Sequence, residues 1–130
     1  MKVGYKALIE AAEREIETLD LGAARALLND PGVVFVDIRD VRELAREGKI
    51  PGAFHAPRGM LEFWVDPDSP YHKDVFASGK QLVFYCQSGW RSALATQTVQ
   101  HMGLENVCHI GGGFAAWKAA GAPVEMPKKD

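Results

Sequence analysis

Only two cysteines, Cys86 and Cys108, occur in the 130 residues, too few for a disulfide framework. No apolar run approaches the ~20 residues of a membrane-spanning helix. Lys2, Lys6, Glu10, Glu13, Arg14 and Glu15 interrupt the N-terminal stretch and leave no apolar region of the kind a signal peptide carries. These absences lead us to expect a cytoplasmic protein whose thiols stay reduced. No sign of charge predominates: 15 basic against 17 acidic side chains give a net charge of −2. That balance speaks against a nucleic-acid or membrane-surface partner. The basic pair Lys128-Lys129, closed by Asp130, reads as a solvated end. Four scattered histidines and two distant cysteines lack metal-ligand spacing, and neither a metal nor a cofactor is expected. Gly111-Gly112-Gly113 has neither the Gly-Lys-Ser/Thr ending of a phosphate loop nor the spacing of a dinucleotide fingerprint. Repeats and low-complexity segments are absent.

What is present suits one globular domain: 47% hydrophobic and 25% charged residues are ordinary values for a soluble core-forming chain. Tyr5, Leu8, Ile9, Ala12 and Ile16 recur at helical spacing and predict an amphipathic helix over 4–16. Residues 16–19 suggest a short strand, and 21–28 a helix capped by Asp20. The continuous apolar run at 33–37 predicts a strand buried on both faces. Asp40 with Glu43 three residues later forms a capping-box pattern, and Gly48 ends that helix. Residues 50–55 read as a turn into a short strand. Residues 56–70 read as an irregular segment around a helical turn at 60–64, and 71–77 as a short helix. Strands at 81–85 and 107–110 and helices at 92–102 and 114–120 complete the pattern. We expect an N-terminal extension at 1–16, a domain at 17–125 and a short charged tail at 126–130.

Strands alternating with helices indicate an α/β fold, a doubly wound central parallel sheet flanked by helices. Ligands of such sheets bind beyond the C-terminal strand ends, and Cys86 stands at one. After it come Gln87, Ser88, Gly89, Trp90, Arg91 and Ser92, a loop opening a helix. Backbone N–H groups at a helix N-terminus favour negative charge, so this position favours a thiolate without a histidine base. Gly89 lets the backbone curl with its amides inward, Arg91 offers a cation for an anionic substrate, and Ser92 suits an N-cap or N1 position. A buried structural cysteine is the rival reading.

Four motifs in this order resemble the rhodanese-like family. They are Val36-Asp37-Ile38-Arg39, the segment Gly48-Lys49-Ile50-Pro51-Gly52-Ala53-Phe54-His55, the Cys86 to Ser92 loop, and Gly111-Gly112-Gly113-Phe114-Ala115-Ala116-Trp117 with Gly121-Ala122-Pro123-Val124. The resemblance implies sulfurtransferase chemistry: Cys86 takes the outer sulfur of a donor such as thiosulfate, becomes a persulfide, and passes the sulfur to cyanide or a thiol. Four residues separate Cys86 from Arg91. Related phosphatases and arsenate reductases have five, so the resemblance disfavours both activities. Many thiosulfate-using members carry Arg or Lys just after the cysteine, where this chain has neutral Gln87 and Ser88. A second reading is therefore a persulfide-carrying or regulatory module that receives sulfur from a protein thiol partner.

Asp37 and Arg39 are expected to orient neighbouring loops through hydrogen bonds, and His55 to be a satisfied structural histidine. Arg58 stands either as a compensating cation at the pocket or as a solvated side chain. Trp90 is a candidate rim aromatic, Trp64 a candidate pocket wall and Trp117 a core residue. Cys108 is expected to be buried and inert, with a resolving role as the alternative. His72, His101 and His109 carry no motif.

Overall fold

The computed structural model describes residues 1–128; Lys129 and Asp130 of the expected charged tail lie outside it. Five strands form one sheet: β1 (Glu17–Leu19), β2 (Val33–Asp37), β3 (Phe54–His55), β4 (Gln81–Tyr85) and β5 (Val107–Ile110). All neighbours pair in parallel, in the order β1-β5-β4-β2-β3. The helices are α1 (Tyr5–Glu15), α2 (Leu21–Ala26), α3 (Val41–Glu47), α4 (Leu61–Val65), α5 (Trp90–His101) and α6 (Gly113–Ala119). The expected doubly wound α/β fold is the fold observed.

Side-chain alternation along the strands divides the core into two layers. Val83, Tyr85, Cys108 and Ile110 pack with Leu19, Ala24, Phe114 and Trp117, under α2 and α6. Leu82, Phe84, Cys86 and Val107 pack with Leu61, Val65, Ala95 and Val99, under α4 and α5. The two thiols therefore face opposite sides of the sheet. Beyond α5 lies a third layer, in which Ile9, Ala12 and Ile16 cover Ala93.

That outer layer explains one difference from the periodicity. Leu94, Ala95, Thr98, Val99 and Met102 suggest one buried stripe, yet the buried residues of α5 are Ser92, Ala93, Ala95, Thr96 and Val99. Met102 is exposed. The sheet covers one side of α5 and α1 another, so burial here follows two contacts rather than one. Polar contacts fix the α1 junction: Gln97 Nε2 donates to Glu15 Oε2 at 2.7 Å, and Gln100 Nε2 to the Glu15 carbonyl at 2.9 Å.

Local signals held where caps were legible. Asp20 accepts from the Ala23 N–H at 2.8 Å. Asp40 accepts from the Arg42 N–H at 2.8 Å, and Glu43 accepts from the Asp40 N–H at 3.1 Å. The helix expected over 71–77 is reduced to a 3-10 turn at Asp74–Ala77, after the irregular stretch ending at Lys73. Lys49 and Glu125 pair in an isolated antiparallel bridge, which draws the C-terminal segment against the end of α3.

Candidate active site

β4 delivers Cys86 to the C-terminal edge of the sheet, and α5 begins four residues later. Gly89 takes φ of +99°, in the left-handed region where glycine is unstrained, and serves as the N-cap. Ser92 is consequently the third residue of the helix rather than its cap or first residue, a correction to the expected position. The turn aims two amides at the sulfur: Gly89 N–H donates to Cys86 Sγ at 3.2 Å and Ser92 N–H at 3.3 Å. Donors at this place stabilise an anionic sulfur.

The loop is braced from below. Phe114 N–H donates to the Cys86 carbonyl at 2.8 Å and Ala115 N–H to the Gln87 carbonyl at 3.0 Å. So close an approach requires a residue without a side chain: a Cβ on Gly113 would lie 2.5 Å from the Cys86 oxygen.

A buried ion pair braces it from the side. Arg39 and Asp37 have no exposed surface. Arg39 donates through Nε and Nη2 to Asp37 at 2.8–3.2 Å, through Nη2 to the Gly48 carbonyl at 2.7 Å, and through Nη1 to Gln87 Oε1 at 3.1 Å. Its guanidinium also stacks 4.3 Å from the Phe114 ring centroid, a cation–π contact. Burial works against the guanidinium charge, but Asp37 outweighs it and raises the basicity of Arg39. His55 Nε2 bonds to the Arg39 carbonyl at 2.7 Å. Asp37, Arg39 and His55 thus hold loops together.

Arg91 is less free than its motif position suggests. Its Nη1 and Nη2 donate to the two oxygens of Glu43 at 2.7 and 3.0 Å. The hydrogen bonds from Arg91 hold the Glu43 carboxyl below the usual range, and Glu43 raises Arg91 in turn. Arg58 is engaged likewise, its Nη1 donating to Glu62 at 2.7 Å. Trp90 is exposed at the rim and packs at a tilt against Tyr5 of α1, with centroids 5.0 Å apart. Trp64 packs instead against Phe54, 6.1 Å between centroids, with Lys73 over its ring. Trp117 is fully buried.

Sequence reasoning passed over His109. In the β4–β5 register it stands beside Phe84, and in the β1–β5 register beside Thr18. Its Nδ1 lies 2.9 Å from Ser92 Oγ, which is 3.5 Å from Cys86 Sγ; its Nε2 lies 3.0 Å from Thr18 Oγ1. Burial lowers the imidazole pKa to about 4, so it is neutral at physiological pH. Alternation along β5 would have placed His109 on the Cys86 face, but only with the strand order in hand. Glu43 was legible as a cap and not as the partner of Arg91, because nothing local joins α3 to α5. Cys108 is buried, and burial pushes its thiol up to about 11.

A cleft of about 190 Å³ beside the loop is lined by Glu13, Thr18, Ser88, Trp90 and His109, with Gly89, Gly111 and Gly112. A larger one of about 670 Å³, between α3 and the C-terminal segment, does not include Cys86.

The pattern of the rhodanese-like domain matches residues 20–120. The chain belongs to the rhodanese-like domain family. A solved structure from Rhodopseudomonas palustris, described as a protein of unknown function and possible tyrosine phosphatase, shares 54% identity with this rhodanese-like chain. It superposes with a TM-score of 0.93 over 96% of each chain. A sulfurtransferase of Allochromatium vinosum is 30% identical over 105 residues, 81% of this chain and 90% of that protein. An uncharacterized protein of Synechocystis is 35% identical over 102 residues, 78% of this chain. The rhodanese-like chain spans about half the length of that relative, 52%. No helix among the described residues is long and apolar enough to cross a membrane.

Proposed function

We propose that Cys86 is the nucleophile of a sulfurtransferase and carries sulfur as a persulfide. The observation that carries this reading is the pair of amides directed at its sulfur, from Gly89 and Ser92. Loading from thiosulfate balances simply. The thiolate attacks the outer sulfur, a Cys86 S–S bond forms, the donor's S–S bond breaks, and sulfite leaves with the bonding pair. The terminal sulfur of the persulfide is then taken by a nucleophile such as cyanide or a thiol, which returns the Cys86 thiolate. Preorganised amides suit both anionic forms.

Among donors, the charges favour a persulfide over thiosulfate. Arg39, Arg58 and Arg91 are each already paired with a carboxylate, and Gln87 and Ser88 are neutral, so a small dianion finds little unspent charge. The acceptor or donor is then a small thiol species or a protein thiol partner, and neither nucleic acid nor membrane is required. The Arg91–Glu43 pair also argues against phosphatase activity, which needs the loop arginine to hold a phosphate.

Intact mass after incubation with a sulfane-sulfur donor tests the reading. One added sulfur is expected in the wild type and in Cys108→Ser, and none in Cys86→Ser. Addition that survives Cys86→Ser but not Cys108→Ser would reject the assignment, as would turnover of an aryl phosphate without any sulfur loading.

A further inference from the structure

Cys86 has no exposed surface, so in the resting protein its thiol proton has no direct way to solvent. A path of hydrogen-bonding side chains leads from its sulfur. Cys86 Sγ, Ser92 Oγ, His109 Nδ1, His109 Nε2 and Thr18 Oγ1 follow one another at 3.5 Å, 2.9 Å and 3.0 Å, the two nitrogens being joined through the ring. The chain crosses from α5 through β5 to β1, and Thr18 at its far end is exposed. His109 itself is 2% exposed and bonded at both nitrogens, which fixes its ring.

We propose that His109, acting through Ser92, passes the Cys86 proton to Thr18 and so to solvent when the thiolate forms, and back when the thiol is restored. Charge on the carriers is the same before and after. The Cys86 S–H bond breaks as its proton joins Ser92 Oγ, whose own proton moves to His109 Nδ1. The proton on Nε2 moves to Thr18 Oγ1, and the Thr18 hydroxyl proton goes to water. His109 has then exchanged one neutral tautomer for the other. Ser92 is left donating to the anionic sulfur, His109 donating to Ser92 and Thr18 donating to His109, so every donor in the chain points toward the thiolate. A histidine with both nitrogens engaged can carry out this exchange; its burial, which keeps it neutral, allows passage without trapping the proton.

The inference rests on Cys86 being the nucleophile of the proposed transfer, but its test does not require sulfur. The rate of Cys86 carboxamidomethylation, located by peptide mass and taken at iodoacetamide concentrations high enough that it no longer depends on the reagent, reports thiolate formation. His109→Asn is the discriminating variant, because its amide donates to Ser92 from about the Nδ1 position yet cannot relay a proton. His109→Leu and Ser92→Ala break the chain outright. Around the chain, Glu13 shares the cleft with His109, Glu17 precedes Thr18 on β1, and Arg91 is held by Glu43.

All three variants should alkylate on the order of a hundredfold more slowly at neutral pH. The deficit should narrow in alkaline buffer, where hydroxide admitted by the same loop opening that admits iodoacetamide takes the proton and bypasses the relay. The melting temperature of His109→Asn at neutral pH controls for folding. Alkylation of His109→Asn at the wild-type rate would overturn the relay and leave His109 a structural residue; so would a deficit unchanged in alkaline buffer. Sulfur loading measured in parallel separates the two claims. Wild type that alkylates as expected but never gains sulfur defeats the transferase reading alone; His109→Asn that loads and alkylates normally defeats the relay alone.

Discussion

Arg91 gives both terminal nitrogens to the two oxygens of Glu43, at 2.7 and 3.0 Å, tying the first turn of α5 to the first turn of α3. The arginine that the loop motif offers to an anionic substrate is thereby already neutralised, on a side chain 42% exposed. Glu43 sets the charge of the loop as much as Arg91 does.

Glu43→Gln should therefore improve use of thiosulfate. One released cation supplies roughly one charge-assisted hydrogen bond, about a tenfold gain in kcat/KM expressed chiefly in KM. The gain should fade as salt rises, since the pair is partly exposed. Steady-state kinetics at low and high ionic strength decide it; an unchanged KM at low salt would mean that donor charge is read elsewhere.

Removing one member of the Asp37–Arg39 pair strands a buried charge. Arg39→Met should lower unfolding stability by about 3–5 kcal/mol, whereas Asp37→Leu combined with Arg39→Met should recover much of that loss. Urea denaturation of the three proteins provides the measurement. Loop function should not return with stability in the double variant, because the bonds to Gln87 and Gly48 stay broken.

His109 makes stability depend on acid. Its pKa falls from 6.5 to about 4 on folding because burial penalises the charged ring, so the unfolded chain takes up the proton first. Its contribution is fully present above about pH 6.5 and is lost as pH falls toward 4, on the order of 3 kcal/mol across that window. His109→Asn should flatten this part of the stability–pH curve. A variant curve parallel to the wild type between those values would count against the buried neutral imidazole.

Gly113→Ala should disable the loop. Its φ of +60° is unfavourable for alanine, and the new Cβ would lie 2.5 Å from the Cys86 oxygen and 2.7 Å from that of Gln87. Loss of sulfur loading with lowered melting temperature is expected. Gly59→Ala, where a Cβ meets nothing within 4 Å, should fall within about 0.5 kcal/mol of wild type.

Much of this was legible in the chain. Caps at Asp20 and Asp40, the apolar run at 33–37 and the stop at Gly48 act through residues within four positions of one another, and their geometry followed the sequence closely. The pairing of Asp37 with Arg39 was visible because the two are adjacent but one. What escaped was everything that joined separate elements: Glu43 to Arg91, 48 residues apart, and His109 to both Ser92 and Thr18. A histidine inside an apolar strand carries no local mark of what it meets. Its partners follow from strand order, which is settled by packing of the whole sheet. The burial of α5 is hidden for the same reason, since periodicity shows that a face is apolar but not that α1 covers a second one.

The bonds from Phe114 and Ala115 to the Cys86 and Gln87 carbonyls also bear on how the protein becomes active. They hold the loop's oxygens away from its concave side, and they come from a helix that begins 27 positions further along the chain. Such contacts form only once the intervening loop has closed, at a cost in chain entropy. A chain with β4 and α5 already folded but α6 undocked would own the cysteine without its arrangement of amides. Reactivity of the thiol should thus report the docking of α6, and a refolding experiment that samples alkylation over time would see Cys86 acquire its native reactivity in the phase in which α6 docks.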